Sequence, residues 1–440
     1  MPLCSRVAAP IFVTAILAAT AAQPAGAQIS FYTAVDLALR NSHDLKMAAA
    51  DVDRAAAGVR QSKDAYMPTM AVGSSLGYSY GFPVGQPTVV NATANSLVLS
   101  FSQPDMIRSA RASLEAARAS LRDTREKIVA QTALAYIELD TDQRELEALN
   151  QQHSYGERLV EIERQRNAAG LSSSMNVTQA ELTNAQLELH RLHLQDHISL
   201  LRLRLANLTG LTDESVTPEP ASIPPPPATP STADMRQGLT GQNAAIASTQ
   251  AAAKSKQYIA FGDSRVVWRP QIAFGIQYSR YAEFNNYADY YLRFQHNNFD
   301  VGINLVLPVF DAQSHDRARA SAAEAVHARE QASLFALQLA EQNRELSNSL
   351  VELLAQQKIA RLQSDYAQEN VDAVLTELQN GPGNPNVTAL TPRDEQKARI
   401  EERRRYVDKL DADFQLMQAR IQLERSLGTV EQWAMQAPHP

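Results

Sequence analysis

The chain has 440 residues, 44% hydrophobic and 20% charged, so it can bury a sizeable core and is too apolar to be disordered. Aromatics are only 6%, fewer than a large single globular core usually uses, while Ala, Leu, Gln, Glu and Arg are abundant and favour long helices. A net charge of −7 with no basic tract argues against nucleic acid as a partner.

The first 27 residues read as an export leader: Arg6, then the nearly uncharged run Ala8 to Ala22, then Ala25-Gly26-Ala27 as a small-residue cleavage signature. The expected mature chain begins near Gln28 and has no cysteine, because Cys4 precedes the apolar run. It would enter an oxidising compartment without disulfides and rely on packing. No other stretch approaches 18 apolar residues, so no transmembrane helix is expected. A soluble periplasmic protein, a secreted one and an outer-membrane β-barrel all remain open.

A first repeat is expected over 28–216. Its opening helix carries a seam of mostly small residues at Val35, Ala38, Ser42, Leu45, Ala49, Val52, Ala56 and Val59. Strands follow at about 68–80 and 95–103. Met70, Val72, Leu76, Tyr78 and Tyr80 alternate with small or polar neighbours, and Leu97, Leu99 and Phe101 repeat the pattern. From Met106 to about Asn167 nothing breaks the helix, about 93 Å at 1.5 Å per residue. A tip turn at about 167–176 leads into the last helix of the half. Residues 217–233 hold seven of the 21 prolines, including Pro224 to Pro227, and read as an extended linker unable to form helix or inner strand.

The second repeat, over 234–430, has the same grammar. Asn41 lies 27 residues before Pro68, and Asn243 lies 27 residues before Pro270. Strands are expected at about 270–281 and 292–308, where Ile272, Phe274, Ile276 and Tyr278, then Phe299, Val301, Ile303, Leu305 and Leu307, alternate with small or polar residues. A second tip turn falls at about 380–391, and a C-terminal tail at 431–440. In both halves the alternation fits lipid outside and water inside. A soluble sheet with one buried face would alternate likewise. Four strands cannot close a barrel with a lumen, so a membrane reading requires several protomers.

Several motifs suggest chemistry and have plainer readings. Gly73-Ser74-Ser75-Leu76-Gly77 matches a nucleophile elbow, but the strand alternation runs straight through it. His190, His193 and His197 could hold a metal from one helix face with Asp196 adjacent. They lie beside a leucine seam, which favours unliganded polar packing. Glu324-Ala325-Val326-His327 lacks the second such unit that a di-iron bundle needs. Glu401-Glu402 with Arg403-Arg404-Arg405 reads as surface ion pairs. Tyr278, Tyr281, Phe284, Tyr287, Tyr290, Tyr291 and Phe294 read as an interface belt and outer loop, a carbohydrate platform being the alternative. No catalytic, metal or cofactor site is expected.

The leader, the duplicated helix-strand-strand-long helix-helix halves and the Pro-rich strap together resemble the TolC family of outer-membrane efflux proteins. Local sequences that resemble the family's are Tyr66-Met67-Pro68 and Trp268-Arg269-Pro270 at strand entries, and Ser102-Gln103-Pro104-Asp105 and Leu307-Pro308-Val309-Phe310-Asp311 at strand exits. Arg166-Asn167-Ala168-Ala169-Gly170 followed by Asn176-Val177 resembles the first periplasmic tip, and Leu208-Thr209-Gly210 and Ser426-Leu427-Gly428 the repeat ends. The resemblance implies a mainly α fold with a membrane β-barrel contribution. It would be a homotrimer in the outer membrane, with four strands per protomer and a long coiled-coil α-barrel reaching into the periplasm. It implies an exit duct for a tripartite efflux pump or a type I secretion system, met by a periplasmic adaptor and an inner-membrane pump. Adaptor-binding tips would include Gly170, Leu171, Ser172, Asn176, Val177, Gly381 and Gly383, and Asp394 and Glu395 are candidates for an acidic pore constriction. Ordinary helix-start acids are the plainer reading of that pair. Asn176 stands where the family often has Asp, and the second tip runs about five residues long before Thr391-Pro392. The competing class is a soluble periplasmic coiled-coil adaptor or chaperone.

Overall fold

The computed structural model describes residues 28–74, 88–211, 216–227, 243–281, 295–381 and 390–436. The expected leader, Leu76, Tyr78, Tyr80, Phe284, Tyr287, Tyr290, Tyr291, Phe294 and Gly383 lie outside them. The first half comprises β1 (Gln28–Ile29), α1 (Phe31–Asn41), α2 (His43–Asp64), β2 (Thr69–Gly73), β3 (Thr88–Ser100), α3 (Gln103–Ala168) and α4 (Ser174–Thr209). The short β4 (Thr217–Pro218) lies in the strap. The second half comprises α5 (Ala244–Val266), β5 (Gln271–Tyr281), β6 (Asn297–Val306), α6 (Ala312–Asn380), α7 (Pro392–Leu427) and α8 (Val430–Ala434). At 66 and 69 residues, α3 and α6 run about 99 and 104 Å. Among the described residues no helix is long and apolar enough to cross a membrane.

The helices form a wall one layer thick. At the strand end α3 lies between α2 and α5, and towards the tips it lies between α4 and α7; α6 borders α5 above and α7 below. The same side-chain bond marks the changeover in both halves. Asn41 Nδ2 donates to the Thr209 carbonyl and Asn243 Nδ2 to the Ser426 carbonyl, each at 2.5 Å, tying a short helix to the end of that half's last helix. The strands form one antiparallel sheet in the order β2-β3-β5-β6, so the two hairpins join through β3 and β5.

Around the changeover sits the main core. Phe31 packs edge-on against Tyr136 and Trp433, at ring-centroid distances of 5.5 and 5.7 Å. The buried Tyr136 hydroxyl donates to the Ile29 carbonyl (2.5 Å) and accepts from the Glu219 N–H (2.7 Å), and Trp433 Nε1 donates to the Pro225 carbonyl (2.9 Å).

Four expectations are corrected. The seam from Val35 to Val59 is not one helix: Ser42 is extended (ψ 127°) and its hydroxyl accepts from the Leu45 N–H, which starts α2 afresh. Val35 and Ala38 are therefore core residues, whereas Ala49 is exposed. The first return strand starts at Thr88, well before 95, because Thr88, Val90 and Thr93 are β-branched and pair with β5, across a register shift at Val89. A register shift between Leu97 and Leu99 puts Leu97 opposite Ala273 and Leu99 opposite Ile272, so these two leucines face opposite sides. The strap is not purely a linker. Thr217–Pro218 pairs in parallel with Gln28–Ile29, and Pro220–Ser222 forms a 3₁₀ turn whose Ser222 hydroxyl receives the Phe31 N–H.

Candidate functional site: the helical tips

The first tip is a short turn after α3. Gly170 has φ 73°, a left-handed conformation in which a Cβ would be strained, and the Leu171 N–H reaches back to the Arg166 carbonyl (2.8 Å). Leu171 and Met175 are exposed at 70% and 75%, an apolar outer surface on the turn. Val177 is half-buried, one turn into α4.

Behind this surface runs a polar chain. Asn176 Nδ2 donates to Ser172 Oγ (3.0 Å), and Ser172 Oγ donates to Glu163 Oε2 (2.7 Å). The other Glu163 oxygen faces Arg393 Nη1 at 3.6 Å, and Arg393 Nε lies 3.6 Å from Asp394 Oδ1. Glu163 is 2% exposed, so its charge depends on these two partners. The chain crosses from the first hairpin (α3 and α4) to the start of α7 in the second. A second crossing lies beside it, where Glu395 holds Arg399 (2.9 Å) and the Arg399 guanidinium sits 5.6 Å over the Tyr155 ring.

Asp394 also builds the start of α7. Its carboxylate accepts from the Thr391 N–H (3.0 Å) and hydroxyl (2.6 Å), closing a capping box with Pro392 in the first turn. Partial burial works against the charged form. Hydrogen bonds from Thr391 and the charge of Arg393 outweigh it and hold this carboxyl below the usual range. Gly381 caps α6 with φ 78°.

The structure brings the expected tip residues Ser172 and Asn176 and the constriction candidate Asp394 into one network, leaves Gly170 and Leu171 on the outside of the first turn with Val177 half-buried in α4, and puts Gly381 at the end of α6. Glu163, Arg393, Tyr155 and Arg399, which join the hairpins, were not anticipated. The available signal was an acid inside the apolar stretch Leu159, Val160 and Ala180.

The other motifs resolve into ordinary contacts. His197 Nδ1 lies 2.8 Å from Asp142 Oδ2, His190 Nε2 lies 3.9 Å from Glu145 Oε1, and His193 is exposed. Among the described residues no three His, Cys, Asp or Glu side chains are placed to hold a metal ion. Gly73 closes β2 and Ser74 Oγ donates to the Val89 carbonyl (2.6 Å), an arrangement of paired strands. Glu324 pairs with Lys256 (3.2 Å), and Glu401 with Arg405 (2.8 Å) and Arg404 (3.7 Å).

Residues 34–210 match the outer membrane efflux protein family. Three solved channels share the fold over nearly the whole chain. The CmeC outer membrane channel of Campylobacter jejuni is 14% identical with a TM-score of 0.75, over 98% of this chain and 94% of that one. The outer membrane protein VceC of Vibrio cholerae is 19% identical with a TM-score of 0.71, over 90% and 96%. The MtrE outer membrane channel of Neisseria gonorrhoeae, solved in its open state, is 15% identical with a TM-score of 0.67, over 91% and 89%. No curated protein matches the chain in sequence. The long helices with a four-stranded sheet are the fold of these solved structures.

Proposed function

We propose that this chain is an outer membrane efflux protein and the exit duct of a tripartite efflux pump or type I secretion system, a passive channel from the periplasm across the outer membrane. One observation carries the reading: sheet and helical wall end on the same two edges. β2, α2 and α4 lie at one edge, β6 and α6 at the other, and no described element covers either. Such an element closes by pairing head to tail with copies of itself. Three copies supply a single barrel of twelve strands, and the walls below continue as a helical tunnel.

The sheet supports a lipid contact. Met70, Val72, Ile272, Phe274, Ile276, Phe299, Val301, Ile303 and Leu305 share one face, and Gly73, Gly275, Gln277, Asp300, Gly302 and Asn304 the other. Ile303 is 75% exposed and Met70 80%, apolar surface of a kind that lipid covers.

The tips are the end reached by a periplasmic adaptor and its inner-membrane pump, with Leu171 and Met175 offering apolar contact. Opening separates α7 from α3 and breaks the Glu163–Arg393 crossing. Asp394 and Glu395 then stand near the narrowest point, each beside an arginine that moderates its charge. Membrane fractionation followed by the native mass of the detergent-extracted protein tests this reading. A trimer in the outer-membrane fraction is expected; a monomer or dimer in the soluble periplasm refutes it.

A further inference from the structure

The two hairpins meet twice, low down along the α3–α7 seam and again at the sheet, where β3 pairs with β5 and α3 packs against α5. At the foot of the sheet this second junction carries a cation laid on an aromatic ring. β3 and β5 put Leu99 opposite Ile272 on the apolar face. Phe101, two residues below Leu99, continues that face, and the Arg269 guanidinium lies 5.2 Å over its ring. Trp268, next in the chain, is 69% exposed and meets His315 edge-on at 5.1 Å. Because β3 and β5 are the two inner strands, copies joining at β2 and β6 leave this patch uncovered.

The other charges at this level are already engaged. Arg265 Nη1 lies 2.6 Å from Asp105 Oδ2 and donates to the Phe101 carbonyl (3.4 Å), while Arg108 holds the other Asp105 oxygen (3.1 Å). Arg317 faces Asp263 at 3.4 Å. Both carboxylates are buried, Asp105 at 1% and Asp263 at 4% exposed. Asp311 caps α6, and Asp316 faces Arg319 at 3.6 Å. Arg269 has no carboxylate partner among the described residues; the Phe101 ring holds its side chain. A guanidinium held in this way at the rim of an apolar surface turns its donors towards the polar layer beyond. Ile272 begins the apolar face of β5 and lies three residues from Arg269, at most about 11 Å of chain. With Ile272 in hydrocarbon, Arg269 therefore sits at headgroup depth.

We propose that Arg269, with Phe101 and Trp268 beside it, is a headgroup site for an anionic phospholipid of the periplasmic leaflet. The guanidinium donates to the lipid phosphate, and the acyl chains run up the face of Leu99 and Ile272. This rests on the duct reading, which puts the sheet in lipid, and adds a lipid partner to it. The choice of an anionic head follows from the charges. A zwitterionic head brings an ammonium with its phosphate, and the carboxylates at this level are buried, capping a helix or paired with arginine. Phosphatidylglycerol brings the phosphate without that second charge. One arginine facing such a head favours it by about fivefold.

The chain has two tryptophans, and Trp433 is buried in the main core, so quenching of fluorescence by lipid reports Trp268. The full-length protein is reconstituted into phosphatidylcholine vesicles. A varied fraction of the lipid, either phosphatidylglycerol or phosphatidylcholine, is brominated near the headgroup end of its chains. Brominated phosphatidylglycerol should reach half-maximal quenching at about a fivefold lower fraction than brominated phosphatidylcholine. Arg269→Gln, a change at an exposed position, should bring the two curves together and leave the phosphatidylcholine curve in place. Equal quenching by the two lipids in the wild type, or a preference that survives Arg269→Gln, overturns the headgroup site and leaves the duct reading standing. So does a protein that floats with the vesicles and is quenched by neither lipid. A protein that does not float with the vesicles overturns the duct reading, and the site with it.

Discussion

Replacing Arg393 with alanine removes the cation that carries the first hairpin's buried charge. Glu163 has a side chain 3% exposed, and its remaining partner is the Ser172 hydroxyl at 2.7 Å. Breaking a fully buried ion pair costs about 3–5 kcal/mol. Here Arg393 is 31% exposed and 3.6 Å away, and water can enter as the helices part, so about 1–2 kcal/mol is the appropriate scale. The penalty falls on the closed seam, because an opened seam hydrates Glu163. Arg393→Ala should therefore raise the open-to-closed ratio by roughly 5- to 30-fold, read as open probability of the purified channel in a planar bilayer. Glu163→Gln keeps an acceptor for Ser172 and removes the charge. Adding it to Arg393→Ala should reverse much of the effect instead of adding to it. An Arg393→Ala channel that opens like the wild type, or a double variant whose effects simply add, would refute the argument that the buried charge holds this tip shut.

Cysteines at positions 163 and 393, joined by a short linker through a disulfide at each end, should abolish export and reduction should restore it; export unchanged by complete cross-linking would exclude seam opening from transport. Tyr136→Phe strips the hydroxyl that pairs Ile29 with Glu219, leaving a buried N–H and carbonyl unmatched. It should cost about 1–3 kcal/mol, seen as a lower melting temperature with channel conductance retained. Asp394→Ala should cost about 1 kcal/mol at neutral pH through loss of the capping box. Because the folded-state carboxyl titrates below its ordinary value, that stabilisation is present above the usual carboxylate range and disappears as pH falls through the lowered one. Melting curves of wild type and variant should accordingly converge in acid, and parallel curves would contradict the assignment.

Features governed by neighbours in the chain were legible. The 3.6-residue and two-residue periods place the long helices and the sheet faces, and Thr391-Pro392 with Asp394 announces a helix start. Where two local rules competed, the weaker signal won: Ser42 followed by Asp44 is an N-cap pattern, and it overrode an apolar seam that continues to Val59. The strap illustrates a rule pressed too far. Proline bars a helix and an inner strand, yet two residues paired with Gln28–Ile29 need few donors, and Tyr136, more than 80 residues away, supplies the rest.

The tip chemistry was hidden for a related reason. Glu163 and Arg393 lie on different hairpins, and a charge becomes informative only once it is known to be buried. On a polar helix an acid is ordinary. Set between Leu159 and Val160 on one side and the second hairpin on the other, it must either find a partner or lose its charge. The α3–α7 seam contains both outcomes. Glu163 has close partners in Arg393 and Ser172, whereas Glu145, whose ion-pair contact is His190 at 3.9 Å, is pushed towards its neutral form, by burial first. A seam made wholly of leucine would bind more firmly but would answer to nothing. Placing a buried, paired carboxylate along it makes hairpin contact depend on whatever removes Arg393 from Glu163.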